Sequence, residues 1–90
     1  MAVHWVNYDL NMTGQKYEAL IAYLKSHRSW ARPAESSYFV DTDLTAVQLR
    51  DGIGKIVDSN DAVTVVTVTD QVWATYGVPN DVTDWMQNHF

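Results

Sequence analysis

The chain has no cysteine. Disulfides, thiolate metal sites and a thiol nucleophile are therefore excluded, and a reducing compartment suits it. Proline occurs twice and glycine four times in 90 residues, and no linker, internal repeat or low-complexity stretch is visible. No apolar run approaches the ~20 residues of a membrane span, so no membrane partner is expected. The start, Met1-Ala-Val-His-Trp, lacks a basic region followed by an apolar stretch; no signal peptide is expected, and the cytoplasm is the expected location. Basic residues are missing from the whole C-terminal part. All six (Lys16, Lys25, Arg28, Arg32, Arg50, Lys55) lie between 16 and 55, while the last 35 residues carry five Asp, and the net charge is −5. General electrostatic attraction to nucleic acid is thus absent, and any such contact needs a local basic patch or a bound metal. No phosphate-binding glycine loop and no G-x-S-x-G elbow occur. His4, His27 and His89 share no short metal-ligand spacing, so a zinc site is not expected. His4 reads as a satisfied sheet residue, His27 as a cation at a helix end and His89 as a solvated terminal residue.

What is present is a globular composition, 47% hydrophobic and with four Trp. Ninety residues make one domain. A chain this short buries only about two thirds of its unfolded surface, so a partner subunit would help it.

Residues 2–9 alternate as a strand, with Val3, Trp5, Asn7 and Asp9 on one face and Ala2, His4, Val6 and Tyr8 on the other. A helix follows. Thr13 is its expected N-cap, Met12 and Tyr17 are a staple pair, and Tyr17, Leu20, Ile21 and Leu24 form one apolar stripe. Residues 29–42 read as a hairpin whose first arm, Trp30 to Arg32, must be an edge or stop at Pro33. Thr45-Ala-Val-Gln48 is a capping box opening a second helix, with Leu44 and Leu49 as a staple and Leu49, Ile53, Ile56 and Val57 as the buried stripe. Gly52 and Gly54 weaken that helix by about 1 kcal/mol each. Residues 62–69 form a β-branched strand. Beyond Asp70, Asn80-Asp81 should cap a short helix with Val82, Trp85 and Met86 on its apolar side.

This order predicts an α+β fold, a ferredoxin-like βαββαβ sandwich over 1–69 with a C-terminal appendage over 70–90, all one domain over 1–90. Both helices should lie on one sheet face, leaving the other open unless something covers it. Trp73, Tyr76, Trp85 and Met86 are expected to cover either that face or a second subunit, and are the candidate dimer interface.

Three constellations can carry chemistry. Asp9, flanked by Asn7 and Asn11, ends a strand expected to be central. A carboxylate there either binds a hard cation such as magnesium or closes a turn. Lys25, His27, Arg28, Trp30 and Arg32 interleave cations with an aromatic ring, which suits a nucleic-acid strand or a solvated helix end. Ser36 and Ser37 are hairpin polar residues that can also donate to phosphate. The candidate nucleic-acid contacts are Arg28, Trp30, Arg32 and Ser37.

Val6-Asn-Tyr8-Asp9-Leu-Asn11, Gly14-Gln-Lys-Tyr17-Glu-Ala-Leu20, Glu35-Ser-Ser-Tyr-Phe-Val-Asp-Thr42-Asp-Leu44 and Asp58-Ser-Asn60-Asp61 together resemble small bacterial and phage proteins labelled SinR-like. Those proteins are similar to the small CRISPR-associated adaptation subunit and the virulence-associated protein D toxins, which are ferredoxin-like homodimers with members described as metal-dependent nucleases. Tyr8-Asp9 matches their strand-one motif. The resemblance implies that Asp9 is catalytic, ligating magnesium at a dimer axis and activating a water for cleavage of RNA or DNA. Many adaptation subunits act structurally instead. Together with the acidic C-terminal half, this implies an alternative: a non-catalytic protein of a phage or bacterial immunity system, acting as a structural dimer or as an inhibitor on a partner's basic surface.

Overall fold

The computed structural model describes residues 2–11 and 15–90. Strands β1 (Ala2–Asp9), β2 (Ser29–Ala34), β3 (Ser37–Thr42) and β4 (Ala62–Thr67) alternate with helices α1 (Gln15–Lys25), α2 (Ala46–Gly54) and α3 (Asn80–His89). The fold is α+β, a four-stranded antiparallel sheet in the order β2-β3-β1-β4. That order is consistent with the ferredoxin-like arrangement. β1 is internal, and β2 and β4 are the edges.

One sheet face presents Val6, Tyr8, Tyr38 and Val40 to Leu20 and Leu24 of α1 and to Leu49 and Ile53 of α2. The apolar stripe of α1 falls where its spacing places it: Leu20 and Leu24 are fully buried, with Tyr17 and Ile21 beside them. The expected cap Thr13 and staple partner Met12 lie outside the described residues. In α2 the capping box closes in both directions: the Gln48 N–H donates to Thr45 Oγ1 at 3.1 Å, and the Thr45 N–H donates to Gln48 Oε1 at 2.9 Å. The helix ends at Gly54, so Ile56 and Val57 pack on the core from the following turn rather than from the helix. Gly52 has a packing reason as well. A Cβ there would collide with the Tyr23 hydroxyl of α1.

The second face is not open. Val3, Ala31 and Phe39 are covered by Val82 and Met86 of α3, with Trp5, Val68, Trp73, Val78, Trp85 and Phe90 around them. Asn80 does not cap α3. The N-cap position is Pro79, which makes no side-chain bond, and Asn80 is the first helical residue. The helix is held by its far end instead. Trp85 Nε1 donates to Ser29 Oγ at 2.7 Å, and His89 Nδ1 lies 3.0 Å from Asp41 Oδ2. His89, expected to be solvated, is therefore a latch residue, stacked on Trp85 with ring centroids 4.1 Å apart. No described helix is long and apolar enough to cross a membrane.

Candidate functional site

Alternation along β1 separates Tyr8 from Asp9. Tyr8 points into the core, where its ring stacks near Tyr38 at 6.5 Å and its hydroxyl donates to the Glu35 carbonyl at 3.3 Å. Burial raises the Tyr8 pKa above the usual phenol value, with the Arg32 charge opposing it. Asp9 and Asn7 are exposed. Asp9 stands at the end of the strand opposite Ala62, and Asn7 sits between Ser37 and Thr64.

Asn11 has a structural duty. Its N–H donates to Asp61 Oδ1 at 2.8 Å, and its side-chain amide donates to the Asn60 carbonyl. Asp61 Oδ2 accepts the Asp58 N–H at 2.8 Å. The Asp61 carboxylate thus ties the end of β1 to the turn before β4. Among the described residues no three His, Asp or Glu side chains gather to share a metal. Asp9 is an exposed carboxylate at the strand end, and magnesium there would take its remaining ligands from water, phosphate or a second molecule.

The four candidate nucleic-acid contacts do not form one surface. Trp30 and Arg32 come together on either side of Tyr38, with Trp30 at 5.8 Å between ring centroids and the Arg32 guanidinium 5.4 Å from the Tyr38 ring. Arg32 Nη2 donates to the Glu35 carbonyl at 2.6 Å, and Lys25 Nζ sits 4.6 Å from the Trp30 ring. Arg28 is at the opposite end of the sheet. Its Nη2 donates to Asp43 Oδ2 at 2.8 Å, and its Nη1 lies 3.5 Å from Asp41 Oδ1, an ion pair without hydrogen-bond geometry. Asp43 raises the Arg28 pKa, and Arg28 lowers that of Asp43. Ser37 is 4% exposed, so its hydroxyl is not offered to solvent.

A groove of about 260 Å³ runs along β2 between Trp30, Ala31, Arg32, Asp81, Val82 and Trp85. Asp81 places negative charge in it. Of the candidate dimer contacts, Met86 is 2% exposed, and Trp73 and Trp85 pack on this chain's own sheet; Tyr76 stands fully in solvent.

His4 is satisfied on both ring nitrogens, as read from the sequence. The Leu44 carbonyl can only accept, so Nε2 donates to it at 2.8 Å, and Nδ1 faces Thr67 Oγ1 at 3.1 Å. His27 differs from its helix-end reading. It lies beyond α1, half-buried, edge-on to Tyr23 at 5.0 Å, with Nδ1 3.2 Å from Thr42 Oγ1. Burial, then the proximity of His4, lowers its pKa below the usual imidazole value.

Sequence reasoning missed the Asp41–His89 and Ser29–Trp85 contacts. The available signal was a polar residue at positions 29 and 41 on the strand face that carries Ala31 and Phe39. Comparison with known family models, curated proteins and solved structures finds no match.

Proposed function

We propose that this chain is a non-catalytic, acidic interaction module that docks on a partner presenting basic groups. One observation carries the reading: four cations are engaged by groups of this chain, Lys55 stands exposed, and exposed acids fill a C-terminal part that has no Lys or Arg. Arg28 is paired with Asp41 and Asp43, Arg50 with Asp51, Arg32 with a backbone carbonyl and Tyr38, and Lys25 with Trp30. Asp70, Asp81 and Asp84 are exposed in a C-terminal part without Lys or Arg. Such a surface repels phosphate and attracts cationic side chains. The setting that accords with the sequence resemblance is a cytoplasmic phage or bacterial immunity system, and the strand order favours the ferredoxin-like reading of the fold.

A second reading keeps a nuclease-like homodimer in which two copies of Asp9 share magnesium. It is favoured by the exposure of Asp9 and Asn7 at the end of an internal strand. Fluorescence anisotropy at low salt separates the two. A labelled arginine-rich peptide is expected to bind, and labelled RNA and DNA are expected neither to bind nor to be cleaved, with or without magnesium. Magnesium-dependent cleavage abolished by Asp9→Ala would establish the second reading instead.

A further inference from the structure

The turn between β2 and β3 is tied to the sheet by its own backbone. The Glu35 carbonyl accepts from Arg32 Nη2 at 2.6 Å and from the Tyr8 hydroxyl at 3.3 Å, and the Ser36 carbonyl accepts the Tyr8 N–H at 3.0 Å. Arg32 is fixed by these contacts, with its guanidinium 5.4 Å from the Tyr38 ring, but it is not neutralised. Its partners are a carbonyl and aromatic groups, and among the described residues it forms no ion pair with a carboxylate. Glu35 is its counterpart. The backbone carbonyl of Glu35 does the holding, while its side chain is exposed and forms no ion pair among the described residues.

Both charges line one cleft of about 370 Å³, together with Ser36 and with Tyr17 and Ile21 of α1. That volume lies at the small end of the roughly 300–1,000 Å³ of ligand-binding clefts. Tyr17 and Ile21 are half-buried and offer apolar surface. Leu20 and Leu24 anchor their helix in the core, so both walls of the cleft stand in place before anything binds, which lowers the ordering cost of binding.

We propose that this cleft binds a small zwitterion, an α-amino acid with an apolar side chain. Arg32 takes the carboxylate, which suits the planar fork of its N–H groups, and the Ser36 hydroxyl adds a donor. Glu35 takes the ammonium. Ile21 and the Tyr17 ring cover the side chain. A simple anion is repelled by Glu35 at close range and by the net charge of −5 at long range. A simple cation is repelled by Arg32. An amino acid is neutral as a whole and supplies one charge for each. This inference does not rest on the acidic-module reading, which concerns Asp70, Asp81 and Asp84.

The test is a titration of the full chain with L-leucine, followed by NMR at the backbone amides of Ile21, Arg32 and Ser36. Saturable shifts at these amides are expected. N-acetyl-L-leucine lacks the ammonium and L-leucinamide lacks the carboxylate. These two and inorganic phosphate are each expected to bind about tenfold more weakly. Glu35→Gln keeps the anchoring carbonyl, and is expected to weaken L-leucine about tenfold while N-acetyl-L-leucine binds no more weakly than before. Arg32→Gln is expected to weaken L-leucine by a similar factor, and Glu35→Gln carries the test alone if Arg32→Gln does not fold.

Absence of saturable shifts with L-leucine at its solubility limit would overturn the inference. Binding of phosphate or N-acetyl-L-leucine as strong as that of L-leucine would overturn the role of Glu35 and reduce the cleft to a plain anion site. Equal binding of L-leucinamide would overturn the role of Arg32. None of these results bears on binding of an arginine-rich peptide, which is measured separately.

Discussion

His27 and Asp41 are polar residues whose setting is fixed by distant parts of the chain. His27 follows α1 closely enough to read as a cation opposing the helix dipole, yet its ring is packed against Tyr23 and Thr42. Burial disfavours the imidazolium, so the folded state binds its proton less readily than the unfolded chain. Stability is then complete above the unfolded value of 6.5 and falls as pH drops below it toward the lower folded value. Urea unfolding at a series of pH values is expected to show stability declining below that point, and His27→Gln is expected to flatten the decline. Asp41 is legible only as an acid on a strand. Its contacts to Arg28 and His89 come from residues 13 (41 − 28) and 48 positions away in sequence, separations that no local pattern encodes.

Helix α2 was readable because its signals are local. A capping box and a staple lie within a few residues of each other, and Thr45 and Gln48 form the reciprocal bonds that their spacing predicts. Thr45→Ala is expected to destabilise the protein by about 1 kcal/mol. Its two glycines look alike in sequence and differ in structure. At Gly54 an added Cβ meets open space, so Gly54→Ala is expected to stabilise by about 0.5–1 kcal/mol. Gly52→Ala gains the same propensity but must displace Tyr23, and the gain is expected to be lost. Thermal denaturation of the three variants checks the order Gly54→Ala above wild type above Thr45→Ala. The strands were likewise legible from alternation and β-branching. The start of α3 was not, because Asn80 and Pro79 are both acceptable helix openers and only the backbone distinguishes cap from first turn.

At the scale of the whole molecule, the sequence left the second sheet face without a defined cover. The apolar side of α3 and the face of Val3, Ala31 and Phe39 were each visible, but nothing local joins them. The structure joins them within one chain, which removes the reason for dimerisation that an open face would supply. Val82 and Met86 of α3 therefore belong to the core. Met86→Ala, at a site 2% exposed, is expected to cost about 2–5 kcal/mol in urea unfolding. The candidate site was legible as residue types but not as an arrangement: Arg28 and Arg32 lie at opposite ends of the sheet, and each is held by groups of its own chain.

The molecule is an acidic domain in which Lys25, Arg28, Arg32 and Arg50 are engaged by groups of their own chain. The decisive measurement is the affinity for a labelled arginine-rich peptide across a range of sodium chloride concentrations, with RNA and DNA of matched length measured in parallel. Peptide binding is expected to weaken steadily as salt screens the acidic surface, and neither nucleic acid is expected to bind at any salt concentration. Nucleic-acid binding at low salt without peptide binding would contradict it.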